Sequence, residues 1–225
     1  MDKARVRGHF DQVASEYDGW KRRAWYYYGW LARIVVGEVP AGARVLDVGC
    51  GTGALLDAVR PAYGVGVDLS PAMVNLARRR FPRLQFRVGD AEALAPGEVF
   101  DRVMMVDLLE HVADPRSVLA TARRACHAQS RLIVVTPNPA WHSILYVAER
   151  LRLKMPEGDH CWRGAEEIRR LLRETGFEVI REDRRILLPK WIPGLSWLVN
   201  EHLARLPLLR RFGISQVVVA QPRAG

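Results

Sequence analysis

The sequence contains few cysteines, and its three thiols at Cys50, Cys126 and Cys161 are widely spaced with no CxxC pair. A disulfide framework and a cysteine-based zinc site are therefore not expected. The chain also lacks an apolar run near the ~18 residues that a membrane-spanning helix needs. Its opening segment, MDKARVRGHFDQ, has no apolar core of a secretory signal. We expect a cytoplasmic protein that is soluble, or that rests at most on the inner face of a membrane.

Acidic residues are the minority charge, since 25 Asp and Glu stand against 34 Lys and Arg and give a formal net charge of +9. Such a balance favours anionic partners, whether nucleic acid, phospholipid headgroups or an acidic substrate, without choosing among them. Hydrophobic residues make up 49% and charged residues 26% of the chain, which argues against disorder. A length of 225 residues favours one α/β domain with elaborations over two full domains.

Short β-branched runs alternate with helical stretches, and no internal repeat or low-complexity linker interrupts them. This alternation is typical of a mostly parallel sheet covered on both faces by helices. We predict seven strands, over residues 44–48, 64–68, 84–88, 102–106, 131–136, 178–185 and 214–220. Ser70-Pro71 and Asp114-Pro115 mark helix starts, because a capping side chain precedes proline. A further helix is predicted over 165–175, ahead of Gly176.

The stretch VLDVGCGTGALL, residues 45–56, is an apolar strand followed by Gly49, Gly51 and Gly53 and then a helix. Glycine permits positive φ and lets the backbone approach a ligand closely, and the helix start offers free N–H groups. A tight strand-to-helix turn without a ligand would show the same pattern. Asp68 favours a ligand, because an acid about 20 residues beyond such a loop can accept hydrogen bonds from both hydroxyls of a ribose.

Spacing alone does not identify the nucleotide, because Gly49, Gly51 and Ala54 also satisfy the G-x-G-x-x-G/A pattern of nicotinamide dinucleotide sites. Two acids favour another ligand. Asp47, two residues before the first glycine, can face an ammonium group, and Asp90, in GDAEAL, can accept a hydrogen bond from the exocyclic amine of a nucleobase. These acids argue against a nicotinamide-dependent oxidoreductase, which stays as an alternative.

Four motifs in register, VLDVGCGTG, GVDLS (66–70), GDAEAL (89–94) and FDRVMMVDLLEHVADP (100–115), resemble those of class I S-adenosylmethionine-dependent methyltransferases. The resemblance is strongest to the branch that includes the quinone-biosynthesis methyltransferases (methyltransferase type 11), whose opening helix is similar to FDQVASEYD at 10–18. It covers about residues 8–136. It implies a doubly wound, Rossmann-like α/β sheet of about seven strands, the last of them antiparallel, with helical N-terminal and C-terminal additions.

This resemblance also implies the parts of the domain and of its cofactor site. The single domain of 1–225 would comprise an N-terminal helical cap (1–40), a cofactor-binding core (41–136) and a substrate-side part (137–225). The loop of Gly49, Gly51 and Gly53 would lie under the methionine part of S-adenosylmethionine, with Asp47 near its amino group. The remaining assignments are Asp68 to the ribose hydroxyls, Leu69 to the adenine face, Asp90 and Ala91 to the adenine edge, and Val106 and Asp107 to the region of the sulfonium.

The implied reaction is in-line transfer of a methyl group from a sulfonium, which requires alignment and exclusion of water more than it requires a base. His111, just past the fourth strand, is the candidate catalytic base, because its unperturbed pKa is near neutrality; it fits a loop-orienting role equally well. His142 and His160 fit rim positions better. Asp107-x-x-Glu110-His111 is similar to a cation-binding cluster of some quinone O-methyltransferases, but Asp107 shortens the reach, and no metal site is predicted.

The substrate-side segments bear on the acceptor. Apolar residues at helical spacing over 137–162 fit a helix packed on the core, a lid over the acceptor, or both. Residues 187–212 combine tryptophan and leucine with lysine and arginine, as interfacial segments and core hairpins both do. We predict a small-molecule or lipid-linked acceptor, and peripheral contact with an anionic membrane stays open beside core packing of this segment. No nucleic-acid partner is expected, because no basic stripe or known module is present. A cofactor-binding module without turnover is the remaining alternative.

Overall fold

The computed structural model describes residues 1–95 and 97–223. Seven strands in this part of the chain form one sheet, in the order β3-β2-β1-β4-β5-β7-β6. They are β1 (Arg44–Val48), β2 (Tyr63–Asp68), β3 (Gln85–Val88), β4 (Phe100–Val106), β5 (Cys126–Pro137), β6 (Phe177–Arg185) and β7 (Ser215–Pro222). The pairs among β1 to β5 are parallel, and β7 runs antiparallel to both of its neighbours. The predicted sheet with an antiparallel last strand is confirmed.

The helices lie between these strands, and two of them precede the sheet. They are α1 (Lys3–Arg23), α2 (Trp25–Val36), α3 (Ala54–Ala58), α4 (Pro71–Arg80), α5 (Pro115–Arg124), α6 (His142–Arg150), α7 (Ala165–Glu174) and α8 (Leu195–Glu201). Both predicted caps are present: the Ser70 hydroxyl accepts a hydrogen bond from the Met73 N–H at 3.1 Å, and the Asp114 carboxylate accepts one from the Arg116 N–H at 2.9 Å. Each cap satisfies a backbone donor that the helix leaves free.

Both faces of the sheet are buried, as the near-continuous apolar strands predict. Along β5, Leu132 and Val134 point to one face and Ile133 and Val135 to the other, and each is at most 1% exposed. The first face packs against α5 and α7, and the second against α2, α3 and α4. Burying each of these side chains contributes roughly 1.5–3 kcal/mol. The core therefore fixes β1 and β4 side by side, and the loops that follow them begin at the same edge.

Strand β5 begins at Cys126, earlier than the predicted 131–136. The sequence did not predict this extension, because the run from His127 to Ser130 is polar. The Ser130 hydroxyl donates to the carbonyl of Phe100 at 2.6 Å and accepts from the His127 N–H at 2.9 Å. Side-chain hydrogen bonds thus satisfy backbone groups in a stretch whose composition does not favour a strand.

The predicted helix within 137–162 is present as α6, and of the two alternatives for it, packing on the core is not observed. None of its residues is buried, and Ile144 and Val147 are more than half exposed. In the segment 187–212, Trp191 is 48% and Trp197 50% exposed, so these indoles are not core residues. Among the described residues, no helix has both the length and the apolarity that a membrane span requires.

Candidate active site

The site lies where the chain changes direction across the sheet. Strand β1 has β2 on one side and β4 on the other. The loop after β1 and the loop after β4 therefore lead to opposite faces of the sheet and leave a crevice between them. Asp107 opens the loop after β4 with a φ of 52°, a region that L residues rarely adopt. Its N–H donates to the carbonyl of Val135 at 2.9 Å, which holds this backbone against β5. Strain of this kind is concentrated at functional sites.

The glycine loop is tied to strand β2 by its own backbone. The N–H groups of Gly49 and Cys50 both donate to the carbonyl of Val67, at 2.7 and 3.1 Å. Gly51 is buried and has a φ of 53°. A Cβ at Gly51 would lie 3.6 Å from the ring of Tyr17, which covers the loop. A Cβ would occupy part of the space between the loop and Tyr17, and the positive φ is one that L residues rarely adopt, so glycine suits this position.

Asp68 connects the loop to the end of β2. One carboxylate oxygen accepts from the Gly51 N–H at 2.8 Å, and the other accepts from the Ser70 N–H at 2.9 Å. Burial raises the pKa of Asp68, and these two hydrogen bonds act against the increase. Each oxygen has a second lone pair available, so the carboxylate can brace the loop and still accept hydrogen bonds from a ligand.

A cavity of about 90 Å³ lies between the loop, the ends of β2 and β4, and helix α1. Most of the site residues predicted from the sequence line it: Gly49, Gly51, Asp68, Leu69, Asp90, Ala91, Val106, Asp107 and His111. They come from four separate segments between residues 49 and 111, and the fold brings them together around one space.

Two predicted residues lie outside the cavity lining. Asp47 is 2% exposed beneath the loop, and burial raises its pKa to about 7. Gly53 also has a positive φ, but a Cβ there would lie 2.6 Å from the ring of Phe86 and 3.2 Å from the Cβ of Ala77. Packing against β3 and α4 accounts for this glycine. Its place in the glycine alternation is therefore explained without a ligand.

Helix α1 roofs the cavity and supplies residues that the sequence analysis did not assign to the site. Lys3, Val6, Phe10 and Tyr17 all line the space. Phe10 and Tyr17 belong to the FDQVASEYD segment. The resemblance of this segment to the opening helix of the family was the only indication in the sequence that these two residues could reach the site. Lys3 lies outside this segment, so no motif indicated its contribution.

Polar contacts from acids of α1 to the core hold this roof in place. Asp11 accepts from the Ser70 hydroxyl at 2.5 Å and from the Ala72 N–H at 3.2 Å. Asp18 accepts from the Thr52 hydroxyl at 2.8 Å and also pairs with Arg80. These partners lie in the glycine loop and in α4, so α1 is fixed directly over the cavity.

A basic residue at the start of α1 closes one end of the cavity. The Lys3 ammonium lies 2.6 Å from a carboxylate oxygen of Asp90 and 2.8 Å from one of Glu92. Partial burial would raise the pKa of Asp90, but the hydrogen bonds from Lys3 and from the Glu92 N–H outweigh it and lower the value. Because Lys3 is 44% exposed at its side chain, this pairing is screened by water and can open.

His111 lies in a 3₁₀ turn, Leu109–His111, just past β4. Its Nδ1 lies 3.3 Å from the carbonyl oxygen of Asp159. A carbonyl only accepts, so Nδ1 carries the proton and Nε2 is the basic atom. Burial lowers the pKa of His111 to about 4, and the ring is neutral at pH 7. Its edge contacts Phe10 at a centroid distance of 5.2 Å.

Two acids, Asp107 and Glu110, lie close to His111 along the chain. Burial raises the pKa of Asp107 to about 6, with Glu157 adding to the increase. Burial also raises the pKa of Glu110 well above its usual value, and one of its carboxyl oxygens has no hydrogen-bond partner. Across residues 1–95 and 97–223, no three His, Cys, Asp or Glu side chains are arranged to hold a metal ion.

The two weaker histidine candidates form part of a rim. His142 is exposed at the start of α6, and His160 is half-buried in the segment that follows this helix. The His160 ring lies 6.3 Å from His111 and 5.6 Å from Trp162. His160 therefore lies close to His111, and neither His142 nor His160 is among the residues that line the cavity.

An adenosine derivative fits the chemistry of this site. The buried Gly51 leaves a space that a Cβ would fill, and Asp68 presents a carboxylate beside it. The volume is smaller than the roughly 300–1,000 Å³ of sites for small organic ligands. The cavity in this structure is therefore narrow for a ligand of that size.

The curated relatives extend the resemblance noted from the motifs. The ubiquinone biosynthesis O-methyltransferase of Hahella chejuensis is 36% identical over 133 residues, which cover 54% of this chain and 56% of that protein. The enzyme of the same name from Dinoroseobacter shibae is 31% identical over 161 residues, covering 66% and 65% respectively. The chain thus spans less than two thirds of the length of these relatives.

Solved structures share the fold across nearly the whole chain. A SAM-dependent methyltransferase from Thermotoga maritima superposes with a TM-score of 0.74 at 21% identity, covering 96% of this chain and 99% of that one. Magnesium protoporphyrin IX methyltransferase from Synechocystis PCC 6803, solved with bound SAH, gives 0.67 at 21% identity, covering 99% and 100%. A family model described as a methyltransferase domain matches residues 20–182. The chain therefore belongs to the methyltransferase domain family.

Proposed function

We propose that this protein transfers a methyl group from S-adenosylmethionine to an oxygen atom of a small-molecule or lipid-linked acceptor. The observation that carries the proposal is the carboxylate of Asp68, which faces the cavity beside the buried glycine cradle of Gly51. A carboxylate beside a glycine backbone suits a ligand in which a ribose is joined to an extended chain. A nicotinamide-dependent oxidoreductase is not favoured, because the family and the solved neighbours are methyltransferases.

The residues that line the cavity have separate proposed roles in binding the cofactor. Asp68 accepts hydrogen bonds from the ribose hydroxyls, Leu69 and Ala91 enclose the adenine, and Asp90 exchanges Lys3 for the adenine amine. Val106 and Asp107 border the reacting end. S-adenosylmethionine supplies an activated methyl group when bound. The protein has to align the acceptor and exclude water, and the α1 roof over the cavity is suited to the second task.

An oxygen acceptor is supported by the names of the curated relatives, which are ubiquinone biosynthesis O-methyltransferases. A hydroxyl is protonated at neutral pH and has to lose its proton during transfer. His111 is the proposed base, because it lines the cavity and its Nδ1 faces the carbonyl of Asp159, which leaves the lone pair on Nε2. Its low pKa makes it a weak base, so Asp107, with a pKa of about 6, is a second group that can take the proton.

An exposed surface that is both apolar and basic supports an acceptor that carries an apolar chain. We call it the tail surface. Its exposed apolar residues, between 43% and 67% exposed, are Trp191, Ile192, Leu195, Trp197, Leu198, Leu206, Leu208 and Phe212. Lys190, Arg205, Arg210 and Arg211 are interspersed with them. Tryptophan and leucine beside basic side chains suit a membrane interface.

The tail surface adjoins the same edge of the sheet as the cavity. The indole N–H of Trp141, just after β5, donates to the carbonyl of Phe212 at 2.7 Å. The Asn138 amide donates to the carbonyl of Gly213 at 2.8 Å. Contact with a bilayer through this surface would therefore bring the acceptor side of the site near the lipid.

Binding of S-adenosylhomocysteine tests the function directly. Wild-type protein is expected to bind this product in calorimetry, and Asp68→Ala is expected to lower the affinity about tenfold or more. The reason is the loss of a charged acceptor, since a hydrogen bond to a charged group contributes roughly 1.5–3 kcal/mol. Asp57→Ala, a surface carboxylate paired with Arg83, is the control. Equal affinity of wild type and Asp68→Ala would contradict the role of Asp68.

The acceptor can be identified by incubating the protein with methyl-labelled S-adenosylmethionine and a cell extract, because the assay does not require a candidate acceptor to be chosen in advance. Label is expected to move into an extractable small molecule, and a molecule with a long apolar chain would support the lipid-linked alternative. A protein that binds the cofactor but labels nothing in extracts or membranes would support the cofactor-binding module without turnover.

Vesicle sedimentation tests the tail surface. Wild-type protein is expected to pellet with anionic vesicles at low salt and to be released as salt rises, because each basic residue near an anionic leaflet contributes about 1 kcal/mol and salt screens that attraction. Arg210→Glu with Arg211→Glu should abolish the enrichment. Arg60→Glu with Arg79→Glu changes the net charge equally at the opposite side of the sheet and should retain it. Equal losses for both pairs would show that only net charge matters.

A further inference from the structure

A second cavity lies beside β6, the edge strand of the sheet. It has a volume of about 410 Å³ and is formed between β6 and the 3₁₀ turn Arg210–Phe212, which precedes β7. We call it the edge cavity. Strands β5 and β7 separate β6 from β4, so the edge cavity is distinct from the candidate active site. The residues that line it are Glu182, Asp183, Arg184, Pro207, Arg210 and Arg211.

Both acids of the edge cavity already have cationic partners. One carboxylate oxygen of Asp183 lies 2.5 Å from the Nε of Arg185, and the other accepts from the Arg184 N–H at 2.8 Å. A carboxylate oxygen of Glu182 lies 3.4 Å from the Nε of Arg169. Neither Arg185 nor Arg169 lines the edge cavity. The negative charge at this cavity is therefore compensated by arginines that lie outside it.

The three arginines that line the edge cavity have no such partners. Across residues 1–95 and 97–223, no ion pair includes Arg184, Arg210 or Arg211. Arg184 is half-buried, and its Nε is shielded from solvent without a hydrogen-bond acceptor. A buried N–H without an acceptor costs free energy. The edge cavity therefore holds three positive charges that the described part of the protein does not balance.

The turn that carries two of these arginines is held against β6. A Cβ at Gly213 would lie 2.6 Å from the backbone nitrogen of Arg185, so glycine permits this close approach of the two backbones. The side-chain amide of Asn138 donates to the carbonyl of Arg211 at 3.1 Å. These contacts fix the position of the turn relative to the arginine on β6.

Uncompensated arginines around one cavity favour a phosphate group as the ligand. The guanidinium group presents N–H donors in a planar fork that matches two phosphate oxygens, and such charge-assisted hydrogen bonds are stronger than neutral ones. Three guanidinium groups suit a phosphate monoester, which carries about −1.5 to −2 charges near neutral pH, better than a single carboxylate. The volume lies within the roughly 300–1,000 Å³ of sites for small organic ligands, which leaves room for the group that carries the phosphate.

We propose that the edge cavity binds a phosphate monoester or a diphosphate group, with Arg184, Arg210 and Arg211 as its ligands. The inference goes beyond methyl transfer, and no residue of the edge cavity lines the candidate active site. The phosphate can come from two sources. A lipid headgroup can reach the cavity because Arg210 and Arg211 lie among the residues of the tail surface, and a soluble phosphorylated molecule can reach it from the solvent.

Calorimetry with inorganic diphosphate tests the edge cavity in solution. Wild-type protein is expected to bind diphosphate at low salt, and Arg184→Gln is expected to bind it at least about tenfold more weakly, as for a lost charged hydrogen bond. The matched control is Arg181→Gln, which removes the same charge from the same strand at an exposed position outside the cavity. It should bind diphosphate as wild type does.

Thermal unfolding verifies the fold of each variant. If Arg184→Gln is unstable, Arg184→Lys replaces it. Lysine keeps the positive charge but lacks the planar fork, so Arg184→Lys should also bind diphosphate more weakly than wild type, by a smaller factor than Arg184→Gln.

Vesicle sedimentation distinguishes the two sources of the phosphate. Phosphatidate presents a phosphate monoester and phosphatidylserine a diester, so phosphatidylcholine vesicles that contain one or the other, matched in surface potential, differ in the headgroup alone. Stronger pelleting with phosphatidate, lost in Arg184→Gln and retained in Arg181→Gln, would support the site with a lipid headgroup as its ligand. Binding of diphosphate without a preference for phosphatidate would support the site with a soluble phosphorylated ligand.

Two results would overturn the inference. The first is a wild-type protein that neither binds diphosphate at low salt nor prefers phosphatidate. The second is equal affinity of Arg184→Gln and Arg181→Gln for diphosphate, together with equal pelleting on both kinds of vesicle, which would mean that only net charge matters. Neither measurement uses S-adenosylmethionine, so both results would leave the proposed methyl transfer intact.

Discussion

Replacing Gly51 with valine is expected to lower the affinity for S-adenosylhomocysteine at least about a hundredfold, which corresponds to roughly 2.7 kcal/mol. Gly51 is buried with a φ of 53°, and its Cβ position lies 3.6 Å from the Tyr17 ring. The two methyl groups of valine would fill the space between the loop and the roof. A positive φ is also unfavourable for a β-branched residue, so Gly51→Ala should show a smaller loss.

Gly42 is the control, because it also has a positive φ but does not line the cavity. Gly42 precedes β1 with a φ of 80°, and no heavy atom lies within 4 Å of its Cβ position. Gly42→Val should therefore suffer comparable strain and bind normally. Circular dichroism and thermal unfolding establish that each variant is folded. A folded Gly51→Val protein with unchanged affinity would show that the loop does not cradle the ligand.

Asp47→Asn is expected to stabilise the cofactor-free protein, increasingly so as the pH rises from 4 to 8. Burial raises the pKa of Asp47 from 3.8 to about 7 in the folded protein. Between these values the folded state retains a proton that the unfolded state has lost, so the free energy of unfolding of the wild type falls as pH rises. Asparagine does not ionise and avoids this loss. The difference should reach roughly 2–4 kcal/mol above pH 7 and level off there.

Urea unfolding at pH 5 and at pH 8 measures this difference. Val45→Ala, a change in the same buried strand that involves no ionisable group, should destabilise the protein by a similar amount at both pH values. If the difference between Asp47→Asn and wild type were the same at both pH values, Asp47 would not hold a proton in the folded state near neutrality.

Local signals in the sequence predicted the sheet and its main helices. The glycine turn, the caps at Ser70 and Asp114, and the β-branched runs each depend on neighbours along the chain, and each is present in the structure. Helix α6 shows the limit of such signals. Apolar spacing predicts a helix with an apolar stripe, but it does not say which surface covers that stripe, and in this protein Ile144 and Val147 are exposed.

The site shows the same distinction. Motifs placed the loop and the acids after each strand, because these residues lie at strand ends that the fold brings to one edge. The contribution of Lys3 was not predicted, since it depends on α1 crossing over loops that are distant in the chain. Lys3 meets Asp90, for example. The interpretation of Gly53 needed the position of Phe86, which no local pattern reveals.

The position of β7 in the sheet determines the order in which the strands can pair during translation. Strand β6 leaves the ribosome before β7, yet β7 lies between β5 and β6. Until β7 is made, β5 has an unpaired edge and β6 has no partner in the sheet, and exposed edges of this kind promote aggregation of nascent chains. Ser215 at the start of β7 lies 3.0 Å from the Tyr27 hydroxyl of α2, counted between the two hydroxyl oxygens. Strand β7 therefore joins the sheet by insertion between β5 and β6, and α2 gains its contact with Ser215 only after β7 has been made.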